Sequence, residues 1–192
     1  MKNASTAVLV RVQYKEKKMN RFERVKRFPN ATIPRRGTRF SAGYDFHAAE
    51  DALIPSLVRS VAGKYSEESS LLLSQIKDFL KKNPPLRPVL VSTGVKVRLE
   101  ADCYLSISAR SSLPRNSLLM VANAPGIIDA DYYNNSQNEG EIFIQLINLS
   151  PYDIIIKQGD KIAQGVIHRY IQVEDDDSLG EREGGFGSTG GR

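Results

Sequence analysis

The chain has 192 residues, of which 41% are hydrophobic and 26% charged, so we expect one ordinary globular domain. Its single cysteine, Cys103, excludes an internal disulfide and fits a reducing, cytoplasmic compartment. With only His47 and His168 besides, the chain has too few ligands for a zinc site and does not favour a Ser-His-Asp hydrolase. No apolar run approaches the roughly 20 residues of a membrane-spanning helix.

The net charge of +5 is unevenly distributed. The first 39 residues carry 12 lysines and arginines against 2 acidic residues, whereas the remainder carries 15 against 20. We therefore expect a basic N-terminal extension over residues 1–21, and its acid-poor composition also fits a mitochondrial-type leader. No basic surface motif with interleaved aromatic residues accompanies it, so we do not expect nucleic-acid binding.

Most of the chain alternates between apolar and polar residues in short segments separated by turn residues. This pattern is typical of a β-sandwich or β-barrel. The strands it predicts, in chain order, are Val8–Tyr14 (weakly), Phe22–Phe28, Ser41–Asp45, Val89–Ser92, Val95–Leu99, Cys103–Ala109, Leu118–Val121, Glu141–Leu149, Asp153–Lys157 and Lys161–Tyr170.

Residues 56–88 have a different texture and predict a helical insertion. Ser66 is a candidate N-cap, and Asn83-Pro84-Pro85 would stop the helix. The apolar residues fall on one helical face: Leu72, Ile76, Phe79 and Leu80. We expect this helix to pack on the flank of the domain, and a helix that docks a protein partner is the alternative.

Asn123–Tyr132 combines a turn signal with two aspartates. Pro125-Gly126 suits a tight turn in which the glycine takes a positive φ. If the following residues are extended, Asp129 and Asp131 share one face while the isoleucines bury the turn. A carboxylate among apolar neighbours is a good proton acceptor, although a water-facing hairpin explains the same residues.

Two further segments suit phosphates. Arg110 with the hydroxyls of Ser111 and Ser112 can cradle a phosphate, as can a surface turn of no function. The glycines of 184–190 allow close backbone approach to an anion, and this run also holds a stacking ring, Phe186. It is not a Walker loop, because Gly-Lys-Ser/Thr and its helix are absent.

Together these segments resemble the homotrimeric dUTP pyrophosphatases, or dUTPases, whose five motifs occur in order. They are Ala-Gly-Tyr-Asp45, Ala-Arg-Ser-Ser-Leu113, Asn-Ala-Pro-Gly-Ile-Ile-Asp-Ala-Asp-Tyr132, Gly-Asp-Lys-Ile-Ala-Gln164, and Arg182 with Gly-Gly-Phe-Gly-Ser-Thr-Gly190. The resemblance implies an all-β, jelly-roll-like distorted β-barrel over residues 22–173, carrying the inserted amphipathic helix. It also implies a mobile Gly-rich C-terminal arm, residues 174–192, that closes over the active site.

The resemblance implies hydrolysis of dUTP to dUMP and pyrophosphate in a homotrimer whose sites draw on all three subunits. Asp129 would be the general base that activates water, and Asp45 would bind a water on Mg²⁺. Tyr132 would pack under the deoxyribose. The substrate-binding residues implied are Arg110, Ser111, Ser112, Asn123, Gly126, Ile128, Tyr132, Gln164, Arg182, Phe186, Gly187, Ser188 and Thr189.

Three features depart from the family pattern: a fifth motif one residue shorter after Arg182, a lengthened loop over residues 133–139, and the insertion over residues 56–88. Two other functions remain as hypotheses. One is dCTP deaminase, which shares the fold, and the other is a regulatory protein whose partner docks on the insertion under nucleotide control.

Overall fold

A computed structural model describes residues 20–57 and 88–176 of the chain. The predicted strand at 8–14, the predicted helix of the insertion and the arm beyond residue 176 lie outside these residues. Within them, no helix is long and apolar enough to cross a membrane.

Short strands dominate the described residues. They are β1 (Arg21–Arg24), β2 (Arg35–Arg36), β3 (Tyr44–His47), β4 (Ala52–Ile54), β5 (Val89–Ser92), β6 (Val95–Arg98), β7 (Cys103–Ser108), β8 (Leu119–Val121), β9 (Gly126–Asp129), β10 (Phe143–Asn148), β11 (Ile154–Ile156) and β12 (Lys161–Arg169). One short helix, α1 (Ser112–Ser117), and a 3-10 turn, Ala130–Tyr132, complete the described elements.

The strands form four small antiparallel sheets. The largest has the strand order β2-β3-β12-β7-β9, and a second has the order β5-β10-β8. The pairs β1-β6 and β4-β11 complete the described sheets. This arrangement confirms the predicted all-β, jelly-roll-like fold.

The core lies between the inner faces of these sheets. In β7 buried and half-buried residues alternate strictly, so that Leu105 and Ile107 point inward while Tyr104, Ser106 and Ser108 point outward. The largest fully buried side chains are Phe46, Ile54, Leu105, Leu119, Ile142, Ile144, Leu146 and Ile162. The outer face of the five-stranded sheet is thereby left for polar residues of the predicted site.

The predicted strands from Val89 onward are confirmed, with ends that differ by one or two residues. Two earlier predictions need correction. The strand predicted over Phe22–Phe28 ends at Arg24, because the Phe28 N–H bonds to the Val25 carbonyl in a turn, 3.1 Å away. The strand predicted over 41–45 instead runs from Tyr44 to His47.

Helix α1 was missed by the sequence patterns. Its six residues are too few for helical periodicity, but Ser111 before it and Pro114 in its first turn are helix-start signals. The helix ends at Ser117, and the next residue, Leu118, takes a left-handed conformation with φ 51° and donates its N–H to the Pro114 carbonyl. Ser111 is therefore placed at a helix start rather than in a plain surface turn.

Candidate active site

Residues from three of the five motifs meet at one place on the five-stranded sheet, and two of them share a cross-strand row. Gln164 of β12 pairs with Ser108 of β7 on one side and with Asp45 of β3 on the other. Directly opposed residues of antiparallel strands project from the same face, so these side chains share the outer face with Ser108. The chain leaves β7 at Ser108 and brings Arg110 to the same place.

Two cationic side chains bind the Asp45 carboxylate of this row. It accepts a hydrogen bond from Arg110 Nε at 2.9 Å on Oδ1 and another from Lys161 Nζ at 2.8 Å on Oδ2. Burial raises the pKa of the carboxyl, but the Lys161 hydrogen bond and the charges of Arg110 and Lys161 outweigh it and hold the pKa below its ordinary value. Asp45 is therefore ionised at neutral pH and fixes two cations.

Arg110 is bound through Nε alone in this contact, and its two Nη groups form the planar fork that suits a phosphate. Lys161 was missed as a site residue by the sequence analysis. It lies inside the fourth motif, but only the register of β3 against β12 brings its ammonium group to Asp45.

Gln164 is held against the same corner of the fold. Its Nε2 donates to the Ala109 carbonyl at 3.2 Å, next to Arg110. Its Oε1 lies 2.9 Å from the position that a Cβ on Gly43 would occupy. A side chain at Gly43 would therefore displace the Gln164 side chain. This steric conflict explains why the first motif has glycine at this position.

Asp45, Arg110, Lys161 and Gln164 together form the Asp45 cluster. The serines of the second motif follow Arg110 directly in the chain. Ser111 is exposed and makes no side-chain capping bond to α1, and Ser112 is half-buried at the first position of the helix. The structure thus brings Asp45, Arg110 and Gln164 together, and Ser111 and Ser112 follow Arg110 directly in the chain. Their binding of phosphate stays a prediction.

The turn of the third motif differs in detail from the prediction. Residues 122–125 reverse the chain, with a cis peptide bond between Ala124 and Pro125, and Gly126 already begins strand β9. Gly126 does not take the predicted positive φ. Gly126 lies against the Asn123 side chain, whose Nδ2 would be only 3.1 Å from a Cβ at this position.

Strand β9 is an edge strand and, within the described residues, pairs with β7 alone. Alternate N–H and C=O groups along its outer edge are thus placed for a ligand. Ile128 packs toward the core, whereas Ile127 is 51% exposed and does not bury the turn as predicted.

Asp129 ends β9 in an extended conformation and is half-buried. The predicted shared face with Asp131 is wrong, because the chain turns into a 3-10 helix at Ala130 and Asp131 is exposed there. Tyr132, at the end of that turn, is only 6% exposed.

Asp129 and the Asp45 cluster lie at opposite ends of β7. Asp129 pairs with Tyr104, whereas the Asp45 row passes through Ser108, four positions further along the strand. Four extended residues span about 13 Å, and further strands lie between. One chain therefore does not bring Asp129 within hydrogen-bond reach of a phosphate on Arg110.

The two histidines lie on strands β3 and β12 of the five-stranded sheet. His168 is exposed, stacks on the Tyr104 ring at 5.1 Å and lies 2.9 Å from the Ser106 hydroxyl. His47 pairs with Lys161 across β3 and β12, and burial, followed by the Lys161 charge, lowers its pKa. Arg182, Phe186, Gly187, Ser188 and Thr189 lie outside the described residues.

The protein is thus a jelly-roll-like barrel whose outer face carries an ionised carboxylate, Asp45, bonded to the cations Arg110 and Lys161. A family model described as dUTPase matches residues 63–190. The deoxyuridine 5′-triphosphate nucleotidohydrolase of Lactococcus lactis subsp. lactis is 36% identical over 177 residues, which cover 90% of this chain and 99% of that relative. The chain belongs to the dUTPase family.

Solved structures agree on the fold. The crystal structure of a dUTPase from Streptococcus mutans matches with a TM-score of 0.61 and 29% identity, covering 80% of this chain and 98% of that one. A mutant dUTPase from phage phi11 of S. aureus, a structure that describes a structural Mg(II) ion, matches with a TM-score of 0.56 and 18% identity. That match covers 84% of this chain and 97% of that one.

Proposed function

We propose that this protein hydrolyses dUTP to dUMP and pyrophosphate, in a cytoplasmic compartment, and so removes dUTP from the nucleotide pool while supplying dUMP. The observation that carries the proposal is the cross-strand pair of Asp45 and Gln164 on the outer face of the barrel, with the Arg110 guanidinium bonded to Asp45 beside it. Membership of the dUTPase family gives this row its substrate.

The base and sugar are assigned to the third motif. Uracil would be recognised by the outer edge of β9, through backbone groups of Gly126 and Ile128 and the nearby amide of Asn123. Backbone groups at a strand edge are fixed in direction and can match the donors and acceptors of a base. Tyr132 would pack beneath the deoxyribose and leave no room for a 2′-hydroxyl.

The triphosphate is assigned to the Asp45 cluster. Arg110, Ser111, Ser112 and Gln164 would donate hydrogen bonds to phosphate oxygens. Both Asp45 oxygens already accept from cations, yet a carboxylate has about four acceptor sites, so Asp45 fits an outer contact to a water on Mg²⁺ rather than a direct metal bond. Mg²⁺, when bound, would neutralise phosphate charge.

Asp129 is assigned as the general base. Its carboxylate would accept a proton from a water that attacks the α-phosphorus in line, with pyrophosphate as the leaving group. Positioning and charge neutralisation supply most of the catalysis of such a reaction, which explains why neither histidine nor cysteine is needed.

The site is proposed to form between subunits of a homotrimer. Because about 13 Å of β7 separates the rows of Asp129 and Asp45 in one chain, a second copy must supply one of them. The arm over residues 174–192 would then close over the nucleotide, with Phe186 on the base and Arg182, Gly187, Ser188 and Thr189 at the γ-phosphate. Closure excludes water other than the attacking one.

The test is pyrophosphate release with Mg²⁺ from dUTP, UTP, dCTP and dTTP in parallel. We expect release from dUTP alone, because only it combines uracil with a 2′-deoxyribose. Ammonia release from dCTP would instead assign the protein to the deaminases of this fold. Binding of dUTP without turnover would support the regulatory hypothesis, and a protein that lacks residues 57–87 would then show whether a partner depends on the insertion.

A further inference from the structure

The loop that follows Tyr132, residues 133–140, is organised by its own side chains. The Asn135 amide donates to the Tyr132 carbonyl at 3.2 Å, and its Oδ1 accepts from the backbone N–H groups of Gln137 at 3.0 Å and Asn138 at 3.2 Å. The Glu139 N–H bonds to the Asn135 carbonyl at 3.0 Å. These bonds close the loop on itself, so it has one defined conformation.

The loop is also anchored to the barrel. Lys96 of β6 is nearly buried and donates to Asn134 Oδ1 at 2.6 Å, with Glu139 3.6 Å from the same ammonium group. The Tyr133 hydroxyl donates to Glu23 of β1 at 2.7 Å. Strands β1 and β6 therefore fix the position of the loop on the barrel.

At its end the loop returns against Tyr132. Gly140 takes a positive φ of 78°, and a Cβ there would lie 2.5 Å from the Tyr132 carbonyl oxygen. Only glycine allows this approach. The loop thus folds back onto the residue from which it departs.

Asn138 makes the contact that matters for the ring. Its Nδ2 donates to the Tyr132 hydroxyl at 2.8 Å, and that hydroxyl donates to the Glu141 carbonyl at 3.1 Å. The other end of the amide, Oδ1, accepts from Asn135 Nδ2 at 2.7 Å and from the Gly140 N–H at 3.0 Å. These partners fix which end of the amide faces Tyr132. The phenol is therefore bonded both as donor and as acceptor.

We propose that Asn138 is a positioning residue that holds the Tyr132 ring and thereby sets discrimination against the 2′-hydroxyl of ribonucleotides. This inference rests on the proposed function, in which Tyr132 packs beneath the deoxyribose. A ring excludes one hydroxyl only while it is held to within a fraction of the hydroxyl's size, and a ring that can shift makes room for it. The lengthened loop thus serves sugar selection.

The test compares Asn138→Ala, Tyr132→Phe and the double variant, with kcat/KM measured for dUTP and for UTP. Asn138→Ala removes the donor to the ring, whereas Tyr132→Phe removes the acceptor and keeps the ring. Each is expected to lower the dUTP-to-UTP ratio about tenfold, and Asn138→Ala is expected to keep kcat for dUTP within about threefold of wild type. The double variant is expected to lower the ratio no further than Tyr132→Phe alone, because the bond that Asn138→Ala removes is already absent without the phenol hydroxyl.

Gln137→Ala is the matched control, since Gln137 is exposed in the same loop, and its ratio should equal that of wild type. Parallel loss of both substrates in Asn138→Ala, or an unchanged ratio, would assign Asn138 to loop stability alone and overturn the proposal. So would additive effects in the double variant. If Asn138→Ala does not fold, a dUTP-to-UTP ratio in Tyr132→Phe equal to that of wild type overturns the proposal by itself.

Failure of the proposed function gives a different result. A wild-type protein that hydrolyses neither dUTP nor UTP overturns the hydrolase assignment, and binding of dUMP and UMP to wild type and Asn138→Ala then tests the inference by calorimetry. A wild-type preference for dUMP that falls about tenfold in the variant supports it. If the wild-type protein binds dUMP and UMP equally well, both the inference and the proposed function are overturned.

Discussion

Asp129→Asn is expected to lower kcat for dUTP by about 10²- to 10⁴-fold while nucleotide binding is kept. Asparagine preserves the shape of the side chain at the end of β9 but cannot accept the proton of the attacking water. Steady-state pyrophosphate release and calorimetric binding of a non-hydrolysable dUTP analogue separate the two effects.

Asp131→Asn is the matched control for this change. It removes the same charge two residues away, but the structure places Asp131 exposed in the 3-10 turn rather than beside Asp129 on β9. It should turn over dUTP at a rate close to wild type. Near-normal turnover by Asp129→Asn would exclude Asp129 as the general base. A large loss of turnover in Asp131→Asn would indicate that Asp131 lies beside Asp129, contrary to the structure.

Arg110→Leu is expected to lower kcat/KM for dUTP by about 10²- to 10³-fold, the usual effect of removing one donor to developing charge. The chain should remain folded, because Lys161 still neutralises Asp45. Arg110→Lys should recover part of the loss, since it restores the charge but not the fork. Thermal unfolding monitored by circular dichroism checks the fold of each variant.

The control for a lost ion pair is Lys157→Leu. Lys157 and Asp51 form an exposed pair of similar length, 2.8 Å, away from the Asp45 cluster. Its loss should leave kcat/KM unchanged, because an exposed pair contributes about 0–1 kcal/mol to stability and touches no proposed ligand. Activity of Arg110→Leu within a few-fold of wild type would show that this cluster does not bind the triphosphate.

Much of the fold could be predicted from sequence because one face of most of the longer strands is buried. In β7 the alternation of Leu105 and Ile107 with polar neighbours fixes both the strand and the direction of its side chains. Where alternation fails, prediction fails with it. Helix α1 is too short to show a period, and the strand at Tyr44 begins three residues later than its turn signals suggested.

The site was predictable in its residues but not in its geometry. Asp129 and Asp131 are two apart in sequence, a spacing that implies one face only if the strand continues, and it stops at Asp129. The role of Lys161 depends on the register of β12 against β3, with an irregularity at Lys161–Ala163, which no local pattern encodes. The bonds from Asn138 to Tyr132 likewise depend on how the loop returns at Gly140.

The most direct test of the proposed site is complementation between Asp129→Asn and Arg110→Leu. The two variants, each expected to have at most about a hundredth of wild-type activity alone, are co-expressed with different affinity tags, and the proposed trimers that carry both tags are purified. If each site takes Asp129 from one subunit and Arg110 from its neighbour, every mixed trimer holds one intact site, so about a third of the wild-type dUTP turnover is expected. Mixed trimers as inactive as either variant alone would contradict a site shared between subunits.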